Sequence, residues 1–386
     1  MPQLTPSQAA KLADSAYLLE NEELEFVAPA DLNLPPNFAV DSKFSGRTGL
    51  GVGSLTGFGF VAGGNCDATR NEMIVAIRGT DPALVGDIFT DALIGFGVPG
   101  PTGSTVHTGF SRTWRSLQNQ IDRRLPPNSL VGTSVHCIGH SLGGALATLA
   151  ADHLSARGAH VKLYTFGCPR VGMIDFTTAL TKRVGADNMF RVYHPADPVP
   201  MMPVFPFTHA PAGQIGYALA CGSNERFRGE AHKMKTSYIP GVSNMSYAAL
   251  ARNGAQTLSD RQIESWLKKV KAGGWIQNYG ARAMEMIGIA LDWVLRKILE
   301  GAMIGLQPYL AAGVSLMDAL AYVLHIGARL VKDVSWYIEA IMLAILKFVG
   351  RTVTQGVSLS IQFIRWALEK MLRELAAMAR GIVNQR

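Results

Sequence analysis

Through about residue 255, short apolar runs alternate with amphipathic stretches, which predicts strands and helices in turn. The runs at 57–62, 73–78, 134–138, 161–166 and 188–194 read as strands, the first two joined by a polar loop at 63–71. Ala9, Ala10, Leu12, Ala13, Ala16 and Leu18 recur at helical spacing, with Thr5 or Ser7 available as N-cap, and predict a covering helix over 6–20. A second helix is expected at 111–124, and the Ala-rich run 145–151 reads as a third. Strands alternating with helices imply a mainly parallel sheet covered on both faces, and active residues in such sheets collect at the carboxyl ends of strands.

The stretch 83–97 is also amphipathic, with Leu84, Ile88, Phe89, Leu93, Ile94 and Phe96, and runs into the Gly- and Pro-rich segment 97–103. An apolar helix between flexible ends is either a lid or a packed surface helix, and the pattern leaves both open.

Beyond residue 255 the pattern changes. Residues 258–271 form an amphipathic connector closed by Gly273 and Gly274, and from 275 onward turn residues become sparse while Ala, Leu, Ile and Met dominate. Met284, Ile287, Leu291, Val294 and Ile298 share one face of a predicted helix, with Glu285, Asp292 and Arg296 on another. The longest charge-free run of the extension, 301–317, contains Gln307 and Pro308 and is shorter than the roughly 20 apolar residues a spanning helix needs. The expected organisation is a catalytic domain at 1–255, a connector at 256–274 and an all-helical extension at 275–386. The extension packs as a bundle on the catalytic domain or a partner, or else lies in a membrane.

Hydrophobic residues make up 48% of the 386-residue chain, which excludes disorder. The net charge of +7 is spread along the chain without a basic block, so no nucleic-acid partner is expected. The mildly cationic, apolar extension suits an anionic lipid surface. Cys66, Cys137, Cys168 and Cys221 show neither metal-ligand spacing nor a disulfide framework, and the glycines of 49–59 do not form a dinucleotide fingerprint. No metal and no cofactor is therefore expected. Residues 1–11 lack the basic start and apolar segment of a secretory leader. The expected location is cytoplasmic or peripheral to a membrane, with signal-independent secretion left open.

The chemistry concentrates at Gly139-His140-Ser141-Leu142-Gly143-Gly144, between the strand at 134–138 and the Ala-rich helix. This is a G-x-S-x-G elbow, in which glycines without Cβ atoms let a nucleophile sit on a sharp bend with its hydroxyl presented. Ser141 is the expected nucleophile, and the Leu142 amide, at the start of the helix, is one expected oxyanion donor. Thr80, in the polar turn Arg78-Gly79-Thr80-Asp81 at a strand end, is expected to supply the other through its amide and hydroxyl. Asp197 lies on the proline-stiffened turn Pro195-Ala196-Asp197-Pro198, suited to a carboxylate that orients an imidazole. Chain order Ser, Asp, His restricts the base to His209, His232 or His325. His232, on a polar loop entering a short helix, is favoured, and His325 falls in an apolar helix.

Taken in order, Val75–Thr80, Val106–Phe110, Gly139–Gly144, Tyr164–Gly172, Asp197–Pro200 and His232 followed by Tyr238 resemble the class 3, fungal-type lipases of the α/β-hydrolase superfamily, over roughly residues 8–245. The resemblance implies an α/β-hydrolase fold and a serine carboxylester hydrolase acting on lipids. It assigns Ser141 as nucleophile, Asp197 as orienting acid, His232 as base, Thr80 and Leu142 as oxyanion donors, and a lid after Thr80. Acylglycerol and glycerophospholipid both fit that mechanism, and the extension favours a phospholipase A that acts at a membrane. The alternative is a membrane-inserting, toxin-like effector in which 275–386 acts on a bilayer. An inhibitor or a delivery protein is a further partner on which the residues are silent.

Overall fold

The computed structural model describes residues 3–19, 32–47, 55–79, 97–126, 130–203, 206–222, 224–254, 258–274, 276–302, 316–351 and 357–381. The chain opens on helix α1 (Pro6–Ser15), whose cap is Thr5: its side chain accepts from the Gln8 amide while Gln8 reaches back to the Thr5 amide. Strands β1 (Phe38–Arg47), β2 (Leu55–Gly64) and β3 (Glu72–Ile77) form an antiparallel meander. Short strands β4 (Gly97–Pro99) and β5 (Thr105–His107) precede helix α2 (Thr108–Arg124). Next come β6 (Ser134–His140), α3 (Leu142–Ala156), β7 (His160–Phe166), β8 (Gly172–Met173), α4 (Ile174–Val184) and β9 (Met189–Tyr193). β10 (Phe207–Thr208) and β11 (Tyr217–Ala218) complete the strands among the described residues.

The main sheet runs β1-β2-β3-β6-β7-β9-β11, parallel from β3 onward, so β6 lies in the middle and its carboxyl end opens at Ser141. A smaller antiparallel sheet, β10-β8-β5-β4, lies apart from it. The alternation of side chains along each strand separates two cores. Val75, Ile77, Val135 and Cys137 pack with Trp114, Leu117 and Ile121 of α2 and Leu146 and Leu149 of α3. Ile74, Ala76 and Ile138 face the other way, onto Ala9, Leu12 and Ala13 of α1. Both faces of the sheet are thus covered, as its continuous apolar strands require. The architecture is an α/β-hydrolase fold with a helical C-terminal region.

That region comprises α5 (Tyr247–Asn253), α6 (Asp260–Lys271), α7 (Ala281–Ala302), α8 (Leu316–Leu330), α9 (Val334–Phe348) and α10 (Ile361–Gly381). Helix α9 is its centre: Ile338, Ile341, Ile345 and Phe348 are buried among α6, α7, α8 and α10. The last turn of α6 is held by Lys347, whose ammonium donates to the carbonyls of Val270 and Gly274 at 3.1 and 3.0 Å, cations being favoured at a helix C-terminus. This core runs without a break into Val199, Met201, Met202, Phe207, Phe227 and Ala231, the apolar residues behind the Asp197 turn and the His232 loop. The apolar faces of the helices are therefore buried against one another and against these residues of the first part of the chain. No described helix is long and apolar enough to cross a membrane.

Candidate active site

Ser141 stands between the last residue of β6 and the first of α3 with φ +56° and ψ −130°, a conformation rarely taken by a residue with a Cβ. Its amide donates to the Phe166 carbonyl on β7 at 2.9 Å, which pins the bend to the neighbouring strand. The flanking glycines are required by contact. A Cβ on Gly139 would lie 2.1 Å from the Gly143 carbonyl oxygen, and one on Gly143 would lie 2.1 Å from the Ile77 oxygen. Strand and helix can cross this closely only with hydrogen at both positions.

The Ser141 hydroxyl lies 2.9 Å from Nε2 of His232, and Nδ1 of that ring lies 2.8 Å from Oδ2 of Asp197. A carboxylate can only accept here, so Nδ1 carries the proton and Nε2 presents its lone pair to the serine. The sequence leaves three histidines open, and the fold brings one of them to Ser141. His209 is held on the Pro200 carbonyl at 2.8 Å and His325 on that of Leu359 at 2.7 Å. His232 sits at the end of a helical turn, Gly229–His232, whose Ala231 is buried in the core shared with the extension.

The surroundings fix each member of this chain. Asp197, fully buried, accepts the Val199 amide on Oδ1 at 2.9 Å and the Tyr238 hydroxyl on Oδ2 at 2.7 Å. Burial, and then the Asp197 charge, hold the Tyr238 phenol well above its ordinary value, so it remains a donor. His140, inside the elbow, donates from Nε2 to the His232 carbonyl at 2.8 Å and accepts the Tyr17 hydroxyl on Nδ1 at 2.7 Å. Burial, then the neighbouring His232, keep His140 neutral. Tyr17 and His140 thus brace the backbone of the base, a contact 123 residues apart in the chain that no local pattern announces.

Of the expected oxyanion donors, Leu142 opens α3 directly after Ser141, where first-turn amides lack intrahelical partners. Thr80 and the stretch 81–96 lie outside the described residues. Gly79 just before them passes against the serine, since a Cβ there would lie 2.9 Å from that of Ser141. Among the described residues, His194, Cys221 and Glu225 place atoms within 4.8 Å of one another in a way that could hold a metal. However, Nδ1 of His194 accepts the Ala196 amide, while Glu225 accepts the Gly222 amide and pairs with Arg228.

The fold is that of an α/β-hydrolase, with Ser141 on the strained bend between β6 and α3. Residues 74–207 match the sequence family described as Lipase (class 3), the family that the motifs resemble. The chain is 33% identical over 209 residues to secreted mono- and diacylglycerol lipase 1 of Fusarium solani, covering 51% of this chain and 58% of that protein. It is 35% identical over 148 residues to secreted mono- and diacylglycerol lipase A of Penicillium cyclopium, covering 36% of this chain and 45% of that one. It therefore spans about half the length of these relatives. Among solved structures, mono- and diacylglycerol lipase from Aspergillus oryzae aligns over 58% of this chain and 84% of its own, at 24% identity and a TM-score of 0.44.

These relatives overturn one expectation. A cytoplasmic or peripheral-membrane location was read from residues 1–11, yet the relatives are named as secreted lipases. The physical reason for the error is that residues 6–15 form α1, with Ala9, Ala10, Leu12 and Ala13 buried against the sheet. This segment is part of the folded core, and its composition reflects packing and carries no information on delivery.

Proposed function

We propose that the protein is a secreted serine lipase that hydrolyses acylglycerol esters through an acyl-enzyme. The observation that carries this reading is the hydrogen-bonded chain Ser141–His232–Asp197 at a strained, glycine-flanked bend. His232 takes the Ser141 proton as the hydroxyl attacks the ester carbonyl, and Asp197 stabilises the imidazolium. The Leu142 amide and Thr80 receive the oxyanion. His232 then protonates the departing glycerol alkoxide, and water activated by the same imidazole releases the fatty acid. The names of the relatives favour mono- and diacylglycerols as substrates and delivery outside the cell. Residues 1–255 form the catalytic domain and 275–386 a helical buttress behind the Asp197 turn and the His232 loop, joined by the connector at 256–274.

The test is fatty-acid release from emulsified mono- and diacylglycerol and from phosphatidylcholine vesicles by the intact chain and by Ser141→Ala. Release from the acylglycerols that disappears in Ser141→Ala supports the reading. Faster release from the vesicles would make the protein a phospholipase A, and no release from any substrate would refute the hydrolase reading.

A further inference from the structure

Between the catalytic part and the extension lies a cavity of about 230 Å³ that none of Ser141, His232 and Asp197 lines. Arg170, Arg191 and His209 form its polar wall, and Ile287 and Leu291 of α7 with Met371 of α10 form its apolar wall. Arg191, on β9, is only 7% exposed, and its Nε has no hydrogen-bond partner. Among the described residues it forms no ion pair, and its guanidinium lies 4.8 Å over the ring of Tyr193. Arg170 donates to the Pro203 carbonyl at 3.1 Å. Two carboxylates also line it, Asp292, which pairs with Arg296 and offsets part of the Arg170 charge, and Glu285, which pairs with Arg282, so Arg191 is the guanidinium without a carboxylate partner. His209 adds no charge, because burial and then the two guanidiniums hold it well below its ordinary value.

A guanidinium taken out of water without a counter-charge is costly, and a ligand that supplies the charge removes the cost. The planar fork of arginine matches carboxylate and phosphate oxygens. The opposite wall offers apolar surface, and the volume is below the roughly 300 Å³ at which pockets for larger ligands begin. We propose that this cavity is a second binding site, separate from the Ser141 centre, for an oxyanion with a short alkyl chain, a carboxylate or a phosphate monoester held by Arg191 and Arg170. Since its walls come from both parts of the chain, the bound ligand fastens the extension to the catalytic part.

The experiment titrates the full chain with octanoate, octyl phosphate and inorganic phosphate, reading binding by calorimetry and Tm in parallel. Octanoate or octyl phosphate should bind and raise Tm, with affinity falling at least tenfold in Arg191→Met and in Arg170→Met. Preference between the two amphiphiles distinguishes a fatty acid from a phosphorylated lipid fragment. Should Arg191→Met fail to fold by circular dichroism, the partly exposed Arg170→Met carries the comparison. Inorganic phosphate binding as tightly as octyl phosphate would overturn the alkyl part of the proposal. No binding of any probe, or equal binding by wild type and a folded variant, would overturn the site itself.

Discussion

Replacing His136 by phenylalanine should make the protein more resistant to acid. His136 lies within β6, on the strand that delivers Ser141, and its ring is 1% exposed and stacked on Tyr164 with centroids 5.5 Å apart. Neither ring nitrogen has a hydrogen-bond partner. Burial, then the charge of Lys162, push the imidazole from 6.5 down to about 3. The unfolded chain takes up this proton near pH 6.5 and the folded chain only near 3. The stability due to a neutral His136 is therefore complete above about pH 6.5 and is lost as pH falls from there toward 3. At pH 5, about 1.5 units into that window, the loss is about 2 kcal/mol at 1.4 kcal/mol per unit. His136→Phe preserves the stacked ring and removes the titration. Urea unfolding at pH 7 and pH 5 should show wild type losing about 2 kcal/mol more than the variant over that interval. Equal losses in the two proteins would refute the reasoning.

Asp197→Asn keeps the side-chain shape but removes the charge that stabilises the imidazolium, so kcat should fall about 10⁴-fold with an unchanged circular dichroism spectrum. A fall of less than tenfold in an ester-hydrolysis assay would deny Asp197 that role. Gly139→Ala forces a methyl to 2.1 Å from the Gly143 carbonyl oxygen and should cost about 3 kcal/mol, read from the urea midpoint, whereas an unchanged midpoint would show that the crossing is not this close. Deleting the chain after Gly274 uncovers Val199, Met201, Met202, Phe207, Phe227 and Ala231, each larger side chain representing about 1.5–3 kcal/mol of burial. The fragment should aggregate in light scattering, and a monodisperse fragment would contradict the shared core.

What could be read from the sequence was what is local. The elbow is legible because its strand, bend and helix are contiguous and its glycines follow from a single close crossing. Strands β3, β6, β7 and β9 announce themselves as apolar runs because both faces of the sheet are covered. The α7 face of Met284, Ile287, Leu291, Val294 and Ile298 is buried as its spacing predicts. β1 escapes notice because it is an edge strand carrying Asp41 and Lys43, and β4, β5, β8 and β10 are too short to show a period. Tyr238 is visible only as part of a motif, and its bond to Asp197 depends on the fold. The partner of the extension was undetermined for the same reason. An amphipathic face shows that something will cover it, and only the tertiary arrangement shows that the cover is the other helices of the extension together with the back of the Asp197 turn and the His232 loop.

In the proposed mechanism Ser141 carries the acyl group during ester hydrolysis. Rapid mixing of the full chain with a p-nitrophenyl ester, acid quenching and peptide mass spectrometry tests it directly. A burst of nitrophenol is expected, matched by an acyl adduct on the peptide containing Ser141, with both absent from Ser141→Ala. An adduct on another residue, or undiminished turnover by Ser141→Ala, would contradict it.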